Sequence, residues 1–177
     1  KLFKTTLLAL VSGALLLTGC EDDPSPAPVD TTTIYTNVES RDGSGNVIET
    51  TVTITDRGEG TGTMTWSNDK TYVLSGLTFV NSGQTLTIEA GTVIKGKSGS
   101  GENASALVVA RGGKILAEGT STDPIIFTSE ADQLRRKADG TGYENGGNLP
   151  VTATGLWGGV IVLGNAVLNS SPGESAI

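Results

Sequence analysis

From residue 34 onward, short runs of β-branched and apolar residues alternate with clusters of glycine, asparagine and serine. Short apolar runs bounded by such clusters predict β-strands joined by tight turns. After residue 20, no stretch keeps helical periodicity for more than about one turn. The pattern therefore predicts an all-β fold.

The first strand pair is predicted within residues 34–54. Residues 34–38 and 47–54 are β-branched and partly alternating, and residues 42–46 form a turn cluster between them. Oxygen-rich turns of this kind sometimes bind Ca²⁺, but acidic ligands are sparse here, and a plain turn is the better interpretation. Residues 34–60 are predicted to form a β-hairpin and linker. The glycine-rich residues 58–62 are interpreted as a hinge before the main domain.

An internal repeat is the strongest signal of the fold. Residues 79–86 align with residues 108–115, and both align with residues 161–167 if one deletion is allowed. Each copy consists of a short apolar strand, a glycine turn and a second short strand. Val80 and Val109 are 29 residues apart and Val109 and Val162 are 53 apart, so an insertion is expected at about residues 131–154.

Short strands at a regular period with glycine corners favour a parallel β-solenoid over residues 61–177. Each rung of a solenoid buries its apolar side by stacking on its neighbours. A β-sandwich also has many short strands, but it does not explain a recurring strand–glycine–strand unit.

The N-terminal residues have the features of an export signal. Lys1 and Lys4 precede the apolar residues 7–17, a stretch that as a helix of ~17 Å is too short to cross a ~30 Å bilayer core. Leu17-Thr18-Gly19-Cys20 resembles the bacterial lipobox, which implies cleavage after residue 19 and lipidation of Cys20. The alternative is an ordinary secretory signal with a chance cysteine.

The residues after Cys20 suggest where the anchor is delivered. Glu21, Asp22 and Asp23 resemble the acidic export signal of Bacteroidota lipoproteins, which implies the extracellular face of the outer membrane. A solvated acidic start to the linker is the alternative. Residues 20–33 form a Pro-rich tether, within which Asp30-Thr31-Thr32 resembles a Bacteroidota O-glycosylation motif with Thr31 as acceptor.

Composition limits the functional classes. The net charge is -7, which argues against nucleic-acid binding, since phosphate contacts need a basic surface. The sequence has no histidine and one cysteine, so it lacks the commonest general base and cannot form an internal disulfide. No cofactor or metal is expected.

Three segments resemble one family: residues 66–76, 86–96 and 155–164 are similar to Bacteroidota surface lipoproteins with a right-handed parallel β-helix of the pectate-lyase-like kind. The resemblance covers about residues 61–177 and implies no catalytic residues. Members of that family are longer, so we expect further rungs after the last residue of this chain.

The insertion is the expected binding loop. Excursions from a solenoid face often form its binding surface, and a sugar-binding role fits four residue types here: Tyr143, Glu144, Asn145 and Asn148. The alternative is a solvated loop that covers a rung. Residues 135–137 are interpreted as a solvated basic run, and both tryptophans, Trp66 and Trp157, as packing residues.

Two functions remain open from the sequence. Acidic residues in the rungs are isolated near turns rather than paired at i, i+2 on one strand face, so we expect a non-catalytic, adhesive or structural surface protein rather than an enzyme. The alternative is a β-helix that binds or degrades glycans. Expected partners are the membrane, through the lipid anchor, and a glycan or another surface protein.

Overall fold

Strands make up nearly all the regular structure of residues 30–165, the part of the chain that the computed structural model describes. The one helical element in that range is a single 3-10 turn, Gly101–Asn103. The all-β prediction is confirmed. The strands are β1 Ile34–Arg41, β2 Val47–Thr55, β3 Met64–Trp66, β4 Thr71–Leu74, β5 Leu77–Val80, β6 Thr85–Ile88, β7 Val93–Gly96, β8 Ala106–Val109, β9 Lys114–Ala117, β10 Ile126–Ser129, β11 Arg135–Arg136, β12 Tyr143–Glu144 and β13 Val160–Val162.

The strands form three larger sheets with a repeating order. Sheet A has the order β1-β2-β4-β7-β10, sheet B β3-β6-β9, and sheet C β13-β8-β5. Along the chain, β3, β4 and β5 belong to sheets B, A and C, and β6, β7 and β8 follow the same order. These two triplets are the first and second rungs, and β9, β10 and β13 form the third.

The register between rungs is the one that the repeat predicts. Val80 pairs with Val109, and Val109 pairs with Val162, all in parallel strands. Leu86 pairs in the same way with Ile115. The parallel β-helix interpretation is therefore confirmed at the level of stacked parallel rungs.

The core is built from side chains of all three sheets. Parallel register places equivalent inward-facing residues above one another, and burying each large one contributes about 1.5–3 kcal/mol. Trp66 is fully buried and stacks on Tyr72 with ring centroids 4.8 Å apart, as expected for a packing residue. The buried cluster comprises Val52, Ile54, Trp66, Tyr72, Leu74, Val80, Leu86, Ile88, Ile94, Leu107 and Val109.

The N-terminal hairpin is part of sheet A. Strands β1 and β2 pair antiparallel, and β2 then pairs in parallel with β4 of the first rung. The predicted turn at residues 42–46 is confirmed, because Asp42 Oδ1 accepts hydrogen bonds from the amides of Ser44 and Asn46. The hairpin thus covers the N-terminal end of the rungs.

The glycine segment that we interpreted as a hinge is packed. Gly60 and Thr61 are buried, and Gly60 has a φ of +79°, which a glycine adopts at little cost. The Asp56 carboxylate accepts hydrogen bonds from the amides of Gly58, at 2.7 Å, and Gly60, at 3.0 Å. It also accepts the Phe79 amide of the first rung at 2.8 Å, so the segment joins the hairpin rigidly to that rung.

The insertion lies between β10 and β13 and spans residues 130–159, wider than the predicted 131–154. Its only regular structure is the short antiparallel pair β11–β12. Near the end of the insertion, Trp157 packs against the core where Gly96 leaves space, since a Cβ there would lie 2.3 Å from the indole. The packing role expected for Trp157 is confirmed.

The third rung ends in exposed apolar side chains. Val160, Ile161 and Val162 of β13 are 39%, 44% and 63% exposed. Within residues 30–165, no helix is long and apolar enough to cross a membrane.

Candidate functional site

The outer face of sheet A beneath the insertion combines threonine, valine and lysine side chains. Residues that point away from the core normally contact solvent, yet four on this face are buried. The parallel register aligns them in two rows across β4 and β7. They are Thr71, Val73, Val93 and Lys95, with exposed fractions of 4%, 4%, 1% and 8%.

Lys95 is the most unusual of these residues. Its Nζ donates a hydrogen bond of 2.8 Å to the main-chain carbonyl of Asp132 in the insertion. Burial lowers the pKa of Lys95, and nearby acidic groups, first Glu49 and then Asp132, oppose that effect. A lysine in such a setting anchors the start of the insertion to the centre of the sheet.

Arg136 of β11 connects the insertion to two rungs. Its Nη2 donates to Asp123 Oδ1 of the third-rung corner and to the carbonyl of Gly140, both at 2.8 Å. Its Nη1 occupies the space over Gly91 of the second-rung corner, where an added Cβ would lie only 1.7 Å away. Gly91 also has a φ of +85°, so both the backbone conformation and the lack of space for a Cβ favour glycine there.

Arg135 is held by a neighbour within the insertion. Its Nη2 lies 2.9 Å from Glu144 Oε1, and the two residues pair across β11 and β12. The interpretation of residues 135–137 as a solvated basic run is wrong for Arg135 and Arg136, whose side chains are 19% and 15% exposed. Lys137 is exposed, as predicted.

The four residues expected to bind a ligand lie in the insertion, and their functional groups serve its own structure. The Tyr143 hydroxyl donates to the carbonyl of Pro124, and the Arg136 guanidinium lies 5.9 Å from the Tyr143 ring centroid. Burial raises the pKa of Tyr143. Asn145 has a φ of +61°, and Asn148 bridges the Gln133 amide and the Ala131 carbonyl.

This arrangement leaves the ligand-binding role of those four residues a prediction. Glu144 and Tyr143 face the basic pair of β11. Asn148 closes a loop by donating a hydrogen bond of 2.8 Å to the carbonyl of Ala131, 17 positions earlier. Such contacts fix the shape of the insertion.

A groove lies between the insertion and the hairpin. Its volume is about 160 Å³, and it is bordered by the exposed part of the insertion on one side and the first-rung corner on the other. On the rung side, the Thr71 hydroxyl donates to Glu49 Oε1 at 2.7 Å. The residues that line the groove are Ile48, Glu49, Asn68, Asp69, Lys70, Thr71, Arg136, Lys137, Ala138 and Gly140.

Several acidic side chains of the rungs and corners are engaged in hydrogen bonds. Glu89 accepts the Asn68 amide at 3.1 Å, and Asp123 pairs with Arg136. Asp132 accepts the Thr128 hydroxyl at 2.8 Å. Among residues 30–165, no three His, Cys, Asp or Glu side chains are grouped so that they could hold a metal ion.

Two predicted sites lie at or beyond the N-terminal limit of the described residues. Cys20 and the acidic residues Glu21, Asp22 and Asp23 lie outside that range. Thr31 lies within it and is exposed, while its main-chain carbonyl accepts the Glu59 amide at 3.0 Å. The side chain of Thr31 is therefore accessible to a modifying enzyme.

Sequence reasoning did not identify Lys95, Asp123 or Arg136 as partners. Lys95 stands in an apolar strand at an outward position, which by alternation alone predicts solvent. Asp123 and Arg136 are separated by a rung corner and by β10, so only the fold brings them together. The one local signal in the sequence was the isolated glycine at position 91, because a glycine in a corner can mark a place where another residue packs closely.

Comparison with known proteins agrees with this architecture. Residues 58–143 match the family model of the pectate-lyase like beta helix domain. No curated protein and no solved structure has significant similarity to the chain. The matched segment and the stacked parallel strands agree in indicating a β-helix fold for this part of the chain.

Proposed function

We propose that the protein is a non-catalytic scaffold of the bacterial cell surface, a β-helix that displays the insertion to a partner or to the extracellular matrix. The observation that carries this proposal is the insertion itself. It covers the outer face of sheet A and offers its exposed residues outward, while its charged pairs Arg135–Glu144 and Arg136–Asp123 hold its shape.

The state of four acidic residues of the rungs and corners supports a role without catalysis. A general acid or nucleophile must be free to reach a substrate. Asp56, Glu89, Asp123 and Asp132 instead accept hydrogen bonds from groups that hold turns and rungs in place. Incubation of the full chain with a panel of polysaccharides, followed by assay of new reducing ends and unsaturated products, should show no turnover. Measurable turnover would overturn the proposal.

The anchor is proposed from the sequence. Lipidation of Cys20, with Glu21, Asp22 and Asp23 as the export signal, would hold the protein on the extracellular face of a Bacteroidota outer membrane. Wild type should incorporate labelled palmitate and be cleaved by protease added to intact cells. Cys20→Ala should lose the label, and replacement of the three acidic residues by alanine should retain the label and lose cleavage.

We further propose that the three sheets close into a right-handed solenoid, as expected for crossover connections between parallel strands. A crystal structure with left-handed connections would contradict this.

Glycan binding is the second candidate, and the groove beside the hairpin favours it. The groove brings the side chains of Asn68, Lys70, Thr71 and Lys137 around one cavity, and hydroxyl, amide and ammonium groups are common donors to sugar oxygens. Binding of the full chain on a glycan array that Lys137→Ala weakens would support this candidate. Lys114→Ala, an exposed change on sheet B, is the matched control.

A further inference from the structure

We propose that residues 131–148 of the insertion, the loop that Asn148 closes, form a clasp that opens as a unit while the rungs stay folded, uncovering a latent surface on sheet A that contains Val73, Val93 and Lys95. This inference concerns a conformational device and does not depend on which partner the scaffold has. It follows from how the clasp is attached, where it is attached and what it covers.

The clasp is a thin layer without a core of its own. None of the residues from Ala131 to Asn148 is buried, whereas the sheet residues beneath them are, and Trp157, which packs against the core, lies outside the clasp. Local opening costs least where few apolar contacts are lost. The clasp can therefore leave the sheet without disrupting the buried cluster between the three sheets.

Polar contacts hold the clasp in place at three positions. Lys95 Nζ binds the Asp132 carbonyl near its start, and Arg136 binds Asp123 in its middle. The Tyr143 hydroxyl binds the Pro124 carbonyl. Partly exposed ion pairs are weakened by salt, so the middle attachment depends on ionic strength.

Arg136 connects the clasp to two rungs. Asp123 belongs to the third-rung corner, and Gly91, over which the Arg136 guanidinium lies, belongs to the second-rung corner. Lys137 lines the groove together with Lys70 of the first-rung corner and Glu49 of the hairpin. Opening would thus release contacts to the second and third rungs together.

The covered surface has features that are uncommon on a solvent-exposed strand face. Val73 and Val93 are apolar and outward-facing, and the Lys95 ammonium is bound to a main-chain carbonyl rather than to a carboxylate. Burial of that ammonium, which lowers the pKa of Lys95, works against the closed state. These features fit a surface that is shielded until the clasp moves.

Acylation of lysines by an N-hydroxysuccinimide ester, with peptide mass spectrometry as the readout, tests the clasp on the full chain. Lys114, which is exposed, supplies the internal reference rate. In wild type at low salt, Lys95 should react at least tenfold more slowly than Lys114, although a lowered pKa would by itself make it react faster. Arg136→Gln should increase the acylation rate of Lys95 about tenfold, because the substitution removes a charged hydrogen bond. In wild type, 1 M salt, on the order of a tenfold excess over physiological ionic strength, should also increase the acylation rate of Lys95.

Two comparisons separate clasp opening from unfolding. Arg41→Gln, which removes an exposed ion pair with Glu39 on the hairpin, should leave the Lys95 rate unchanged. Hydrogen exchange at the Leu107 amide, in the buried strand β8, should stay slow in every sample. Asp123→Asn weakens the same attachment with Arg136 intact and replaces Arg136→Gln if that variant does not fold.

The proposal is overturned if Arg136→Gln and Asp123→Asn both leave the relative Lys95 rate at its wild-type value. It is also overturned if the Lys95 rate rises only in proportion to exchange at Leu107, because that would mean that the surface is reached through global unfolding.

Discussion

Replacement of Asp56 by alanine should be among the most destabilising single changes on the chain. The Asp56 carboxylate accepts hydrogen bonds from the amides of Gly58, Gly60 and Phe79. A weaker fourth contact comes from the Thr33 hydroxyl at 3.2 Å, which shares its single proton with the Gly60 carbonyl at 2.6 Å. Alanine removes all four acceptor contacts and leaves the amide of Phe79, in β5, without its partner.

The size of the effect follows from these contacts. A hydrogen bond to a charged group contributes about 1.5–3 kcal/mol net, and the contributions of four bonds to one carboxylate are not additive. Partial exposure of the site reduces each of them. We therefore expect Asp56→Ala to lower the free energy of unfolding by about 3–5 kcal/mol, a large part of the 5–15 kcal/mol typical of a domain.

Urea denaturation followed by tryptophan fluorescence measures this loss, since Trp66 is fully buried in the folded state. Glu59→Gln is the matched control, as it removes one exposed carboxylate from the same segment and should change stability by less than about 0.5 kcal/mol. Asp56→Asn should fall between the two, because one amide oxygen replaces two carboxylate oxygens. A cost below about 1 kcal/mol for Asp56→Ala would refute the view that this residue joins the hairpin to the first rung.

Three further changes test other parts of the fold. Burial, reinforced by the charge of Asp56, raises the pKa of Tyr35 to about 12. The pKa of an unfolded tyrosine is ~10, so wild type should lose stability as the pH rises from ~10 towards 12. In urea titrations, Tyr35→Phe should lose less stability than wild type over this alkaline range. Gly96→Ala should lower the thermal midpoint by several degrees, corresponding to about 1–3 kcal/mol, because its Cβ would lie 2.3 Å from the Trp157 ring; an unchanged midpoint would contradict that packing. Gly60→Ala should cost at least about 2 kcal/mol in urea, because it combines a φ of +79° with three heavy atoms within 2.8 Å of the new Cβ; a loss below about 0.5 kcal/mol would show that the segment is loose.

The rung register could be predicted from the sequence because it depends on local patterns that repeat. Aligning Val80 with Val109 and Val162 required only short apolar strands on either side of glycine turns, and each alignment is a strand pair in the structure. The hairpin followed from β-branched runs around the turn at Asp42, for the same reason.

The candidate site was less predictable because it depends on contacts between distant residues. The basic run at Arg135 and Arg136 has the composition of a solvated face, and only the return of the insertion over the rung corners buries it. The segment at Gly60 is predicted to be flexible by its composition, whereas in the structure Gly60 allows the close approach of the Phe79 carbonyl. Composition reports which conformations a glycine permits, and tertiary packing decides whether that freedom is used for motion or for close contact.

The corners of the rungs differ greatly in length, while the register of the strands does not change. Met64 and Leu86 are paired at a spacing of 22 residues, and Val109 and Val162 are paired in the same parallel manner at a spacing of 53. A corner can therefore gain or lose residues without shifting any strand against its neighbour. For evolution, and for anyone who wishes to graft a peptide onto this protein, the corner after β10 is a position where new sequence alters what is displayed and leaves the supporting rungs as they were.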